Sequence, residues 1–145
     1  MSTQVTNPPS TDLAPATVSV RIKMSALWAS MLFVFAYVDL FSLYRPDVRA
    51  DIEAGRLSGF TINQTFLLIT TAYVVLPALM VFLSLVLPAR ISRMTNLVLA
   101  VGYALTIVGG AVGESNVYYL LGSAVEVVLL AGIAFYAWTW PASRP

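Results

Sequence analysis

VYYLLGSAVEVVLLAGIAFYAWTW, residues 117–140, carries a single charged side chain, Glu126, in a run long enough to cross a bilayer as an α-helix. A spanning helix needs roughly 20 predominantly apolar residues. Upstream of this run stand three more stretches of the same kind, about Met24–Tyr44, Thr61–Leu87 and Met94–Gly113, parted by charged or turn-forming residues. The pattern predicts an all-α integral membrane protein, a four-helix transmembrane bundle over residues 21–141, with the last span at about Val117–Trp140. The second stretch is longer than a bilayer requires, which predicts tilt or an interfacial first turn, and Pro77 within it predicts a kink where neighbours satisfy the freed carbonyl.

Composition agrees with lipid as the solvent. The chain has 145 residues, 59% hydrophobic and 10% charged, more apolar surface than one soluble core of this size buries. The net charge of +1 and the lack of a basic run argue against a nucleic-acid partner. With no cysteine and no histidine, disulfides, thiolate nucleophiles, imidazole-bound haem or zinc and histidine acid–base chemistry are excluded. Phosphate loops, nucleophile elbows and metal-ligand clusters are absent, so neither a metal nor a cofactor is expected. Residues 1–20, rich in Ser, Thr and Pro and without apolar periodicity, predict a disordered cytoplasmic tail. Arg21 and Lys23 directly precede a span-length stretch, so the first helix reads as a retained signal anchor rather than a cleaved signal.

Basic residues favour the cytoplasmic side. With the N-terminus inside, Arg21, Lys23, Arg90, Arg93 and Arg144 are cytoplasmic, against Arg45, Arg49 and Arg56 outside. Both termini are therefore expected in the cytoplasm, in a multi-pass protein of the cell inner (plasma) membrane. Trp28, Trp138 and Trp140 then fall at the inner interface and Tyr44, Tyr118 and Tyr119 at the outer one. Arg90, Arg93 and Asn96 read as a topology anchor and helix start. In the outer loop, Pro46–Ala54 predicts a short helix ended by Gly55, with Val48 and Ile52 on one face, serving as a solvated connector or as a lid over an outward-facing cavity.

Two carboxylates break the apolar rule, Asp39 in the first span and Glu126 in the fourth. A charged acid left in hydrocarbon costs roughly 3 kcal/mol or more, so each should face protein or water. At about 1.5 Å per residue, Asp39 lies roughly 22 Å from the inner end of its helix and Glu126 about 14 Å from the outer end of its own. In a core about 30 Å thick their depths then differ by only about 6 Å, which allows one shared site. The same arithmetic brings Thr70, Thr71 and Thr106 to the level of Glu126, and Gly109 and Gly110 to that of Asp39.

Gly102, Thr106 and Gly110 form a small-residue stripe that admits a neighbouring helix, and Gly109 with Gly113 makes a Gly-x-x-x-Gly match. Glu114 continues the stripe at the outer mouth, and Gly122 and Ser123 lie one turn outward of Glu126. The expected ligand- or proton-binding set is Asp39, Glu126, Thr106, Thr70, Thr71, Tyr37, Tyr73 and Glu114. The aromatic run Phe33, Phe35, Tyr37, Phe41 and Tyr44 reads either as packing and lipid contact or as the lining of a pocket. No lysine, arginine or histidine shares the depth of the acids, and a buried carboxylate without a cation tends to keep its proton. Such a pair is an exchangeable proton or cation site, or two neutral acids that tie helices together. Recognition of a lipid, a quinone or another small apolar ligand, and catalysis, complete the range.

Lys23-Met-Ser-Ala-Leu-Trp28 with Asp39 downstream, Pro77 followed by Met80-Val-Phe-Leu-Ser84, Arg93 with Asn96, and Glu126 before Tyr136-Ala-Trp-Thr-Trp140-Pro141 resemble a family of small bacterial four-span membrane proteins of unknown function. The resemblance covers about Arg21–Pro141. It implies fold and membrane location and carries over no catalytic residue. The size is also similar to that of small multidrug exporters, whose first helix bears an essential acid, but the residues around Asp39 do not match them, and that likeness is one of architecture. The expected function is non-enzymatic: an outward-facing acidic cluster binding a proton, a cation or a small ligand, in transport. The rival expectation is a structural or accessory subunit, with membrane lipid, further copies of the chain or a larger membrane complex as partners.

Overall fold

The computed structural model describes residues 17–140. The expected tail, residues 1–20, lies almost wholly outside the described residues, as do Pro141 and Arg144. Among the described residues there are five helices: α1 (Val20–Ser42), α2 (Pro46–Glu53), α3 (Gln64–Val86), α4 (Ala89–Ala111) and α5 (Val117–Thr139). All but α2 have 23 residues and are long and apolar enough to cross a membrane. At about 1.5 Å per residue each is about 35 Å long, enough for a hydrocarbon core of about 30 Å.

The helix ends follow from local chemistry and move several expected boundaries. α1 starts at Val20 rather than Met24 because Ser19 caps it, its hydroxyl accepting from the Ile22 amide. α3 starts at Gln64 rather than Thr61, with the Asn63 side chain accepting from the Phe66 amide at 2.9 Å. The second span is therefore no longer than the others. α4 begins directly after Pro88, which takes Arg90 and Arg93 into the helix, and it stops at Ala111, short of Gly113.

Between α1 and α3, α2 opens with Pro46 at its first position and Asp47 in its first turn. A hairpin missed from sequence follows, β1 (Arg56–Leu57) against β2 (Phe60–Thr61), with Arg56 opposite Thr61 and Leu57 opposite Phe60. Its two-residue turn holds Ser58 at φ 50° and Gly59 at φ 82°, the left-handed geometry that matches strand twist.

α1 packs on α3 and α5, and α5 on α4, while α3 and α4 touch thinly. The four long helices thus form a ring in chain order, open along the α3–α4 seam. Trp28 and Met31 of α1, Met80 of α3, Tyr103 of α4 and Leu130 and Ile133 of α5 fill its centre. The Trp28 and Tyr103 rings meet edge to face at 6.1 Å.

Trp28, expected as an interfacial aromatic, is fully buried in this core. Its indole N–H donates to Asn96 Oδ1 at 2.7 Å, and the Ser84 hydroxyl donates to the same oxygen at 3.0 Å. The Asn96 amide nitrogen in turn donates to the Ser92 carbonyl at 2.8 Å. Asn96 is therefore the hub of a buried network joining α1, α3 and α4, rather than a helix-start residue.

At that same end of the bundle the basic residues meet carbonyls and rings. Arg21 donates to the carbonyls of Leu85 and Leu87 at the end of α3, at 2.9 and 2.6 Å, and stands over Trp140 at 5.2 Å. Arg93 donates to the Trp138 carbonyl.

Candidate functional site

α5 sets one wall of the site. Tyr119, Ser123 and Glu126 recur at helical spacing on one face, so all three look inward together. That face approaches α1 closely at Gly122, where any Cβ would collide with the Val38 side chain. Gly122 is thus the glycine at which a neighbouring helix comes nearest. On the expected stripe a Cβ at Gly102, Gly109 or Gly113 would meet nothing within 4 Å, and Gly113 lies beyond the helix at φ 86°. Only Gly110 has a close neighbour, the Tyr119 hydroxyl, 3.3 Å from a Cβ built there.

Val38 brings Asp39 with it, and Asp39 and Glu126 line one cavity of about 130 Å³. Phe35, Val38, Ile107, Tyr73, Thr106, Tyr119 and Ser123 complete its wall, with no basic residue among them. The Tyr73 and Thr106 hydroxyls bond each other at 2.7 Å across the α3–α4 seam, and Thr106 also donates to the Tyr103 carbonyl. Glu126 is 3% exposed, yet its carboxylate has no hydrogen-bond partner among the described residues. Every side-chain polar atom sealed from cavity and solvent among the described residues does have one. The unpartnered oxygens of Glu126 are those that reach the cavity.

A second cavity, about 620 Å³ and open on one side, lies between α2 and the bundle. Asp39 and Tyr119 line both spaces and so stand where they adjoin. The acids Asp39, Asp47, Asp51 and Glu114 face this vestibule with Arg45 as the one base, and Leu40, Val48 and Ile52 give it apolar walls. Arg45 is held in ion pairs with Asp47 at 2.6 Å and Glu114 at 3.0 Å. Hydrogen bonds to Asp47, Tyr118 and Glu114 raise its pKa above the ordinary guanidinium value. Glu114 accepts from the Asn116 side chain and from the Asn116 and Ser115 amides, and together with Arg45 these hold its pKa down to about 2. The arrangement pins the start of α2 to the α4–α5 loop and leaves the vestibule with an excess of negative charge.

Other expected members stand elsewhere. Tyr37 is exposed and its ring lies 6.0 Å from Phe41, away from both cavities; of the aromatic run on α1 only Phe35 lines the acid cavity. Thr70 and Thr71 are exposed on α3, with the Thr70 hydroxyl turned back to the Phe66 carbonyl. Depth along the axis placed these residues at the right level but not on the right face. Tyr119, read from sequence as an interfacial aromatic, is the main lining residue missed, and its spacing of seven from Glu126 is the signal that marks it.

The model of a family of unknown function, DUF6326, matches residues 19–144, nearly the whole chain. The chain belongs to this family. DUF6326 membership fits the expected kinship with a family of unknown function and assigns no role to any residue of the cavity. No curated protein and no solved structure matches the chain.

Proposed function

We propose that this DUF6326 protein is a non-enzymatic, multi-pass protein of the plasma membrane that binds a cation, in exchange with protons, between Asp39 and Glu126 as a step of transport. One observation carries the reading: Glu126 is buried, lacks a hydrogen-bond partner among the described residues, and opens into a cavity that a second acid, and no base among those residues, also lines. A carboxylate in such a place is stabilised by a proton or a cation, and loading one displaces the other. The acid-rich vestibule supplies the approach, since clefts of one sign concentrate ions of the other. Arg21, Lys23, Arg90 and Arg93 gather at the opposite end of the bundle, which favours a cytoplasmic position for that end and an outward-facing vestibule.

Reconstitution into liposomes with a trapped pH dye tests this. Imposed cation gradients should drive counter-movement of protons, lost in Glu126→Gln and reduced at least tenfold in Asp39→Asn. Flux that is the same in wild type and both variants would sink the reading.

A second reading, an accessory subunit, draws on the exposed Gly102 and Gly109 of α4, where open space admits a helix from another chain. Purification in mild detergent separates the two, since a chain that runs alone and brings down no partner removes the subunit role.

A further inference from the structure

We infer that the cation of this site is a small organic ammonium, its charge shared between Asp39 and Glu126 and its carbon substituents held by the rings of Phe35, Tyr73 and Tyr119. The inference rests on the cation-binding reading above and names the class of ion. Two observations set it apart from a plain acidic cluster. One is Glu126, nine-tenths buried and more, aimed unpartnered into the cavity. The other is the composition of the rest of the wall. Three aromatic rings line the space, and Phe35 and Tyr73 meet as a tilted pair with centroids 6.1 Å apart. Their companions Val38 and Ile107 are apolar.

A hard metal ion wants most of its hydration shell replaced by oxygens, six to eight for calcium and six in octahedral array for magnesium. The cavity sets two carboxylates and four hydroxyls among rings and apolar side chains, and no third acid joins them. Among the described residues no group of three or more acidic side chains is placed to hold a metal ion. The Tyr73 and Thr106 hydroxyls are already bonded to each other. An alkylated ammonium has the opposite needs: it is weakly hydrated, takes little from hydroxyls, and gains from aromatic faces and from an opposing charge. The cavity, about 130 Å³, is about ten times the 10–15 Å³ that one water requires, room for a nitrogen bearing several methyl groups. The apolar flank of the vestibule, Leu40, Val48 and Ile52, offers a path on which such an ion keeps contact with carbon while the acids draw its charge.

The test uses the purified full chain in detergent, with calorimetric titration of tetramethylammonium chloride and, separately, sodium chloride at matched ionic strength, and a dye reporting released protons. Tetramethylammonium should bind at least tenfold more tightly than sodium and release protons. Tyr119→Leu and Phe35→Leu should each weaken tetramethylammonium about tenfold and change sodium affinity less than twofold, whereas Tyr119→Phe, which keeps the ring, should bind as wild type. Glu126→Gln should abolish binding of either ion. Sodium bound as well as tetramethylammonium, or both weakened alike by the ring variants, overturns the ammonium assignment and leaves the cation site standing. Neither ion binding and no proton released overturns both.

Discussion

The hydroxyl of Tyr103 donates to the carbonyl of Tyr73, the acceptor that Pro77 leaves without its helical partner. A proline in mid-helix removes the N–H that would serve the carbonyl four residues back, and in lipid no water replaces it. α4 supplies the missing donor, so the thinly packed α3–α4 seam is bridged by a bond that exists because of the proline. Tyr103→Phe keeps the ring contacts, including the 4.6 Å centroid distance to Tyr73, and should cost about 1–3 kcal/mol for the orphaned carbonyl. Pro77→Ala restores the N–H, so it should recover most of that loss in the Tyr103→Phe background and gain far less on its own. A double-mutant cycle of thermal unfolding in detergent measures the coupling; equal effects of Pro77→Ala in both backgrounds would show that Tyr103 does not serve that carbonyl.

Asn96 holds the other half of the bundle together. Asn96→Leu would leave the Trp28 indole N–H and the Ser84 hydroxyl without their acceptor in a buried core, each orphan costing about 1–3 kcal/mol. Trp28→Phe should cost less through hydrogen bonding, because Ser84 still satisfies Asn96, though a cavity adds to it. Unfolding midpoints should fall furthest in Asn96→Leu. Trp28 fluorescence gives a second readout, since loss of the indole bond in a buried site should shift emission to the blue. A variant as stable as wild type with unchanged emission would refute the hub.

Hydropathy made the four long helices legible, because a predominantly apolar run of span length has few other uses. The requirement that Pro77 needs an outside donor was legible for the same reason, though not which helix supplies it. The Asn96 network was not, because tryptophan and asparagine near helix ends usually mark interfaces and caps. Trp28 stands eight residues into α1, about 12 Å along its axis, because Ser19 starts the helix four residues before the expected Met24. Depth also aligned Asp39 with Glu126, yet it misassigned Thr70, Thr71 and Tyr37, since level along a helix says nothing about the face a side chain takes. The stripe Gly102/Thr106/Gly110 failed only in part: Gly110 meets the Tyr119 hydroxyl, Gly102 meets nothing, and the tightest approach is at Gly122, from Val38.

That contact predicts a rescue. Gly122→Ala places a methyl where the Val38 side chain already lies, and overpacking of this kind costs about 1–3 kcal/mol. Shortening the partner, Val38→Ala, should return much of the lost stability in the Gly122→Ala background while destabilising the wild type. Because both residues flank the acids, the single variant should also weaken cation binding and the double variant restore it. Unfolding midpoints for the four chains decide, and a double variant no better than Gly122→Ala would place the clash elsewhere.

Glu114 couples the vestibule rim to acidity. Its carboxyl is held down at about 2, from an ordinary 4.5, chiefly by the side chain and amide of Asn116 and then by Arg45; Arg45 lowers Asp47 as well. A folded carboxyl that binds its proton less readily than the unfolded chain adds stability in full above the unfolded value and loses it as pH falls through the folded one. The advantage of wild type over Glu114→Gln should therefore be constant from pH 8 to about 5, shrink below about 4.5, and vanish near pH 2. Added salt should narrow it at neutral pH, since the pair is partly exposed to solvent. Unfolding midpoints of the two chains across that range test the point. A gap that persists undiminished at pH 2 would mean that the ionised carboxylate does not hold the α4–α5 loop to α2, and that the rim is fixed by the neutral bonds around Asn116 instead.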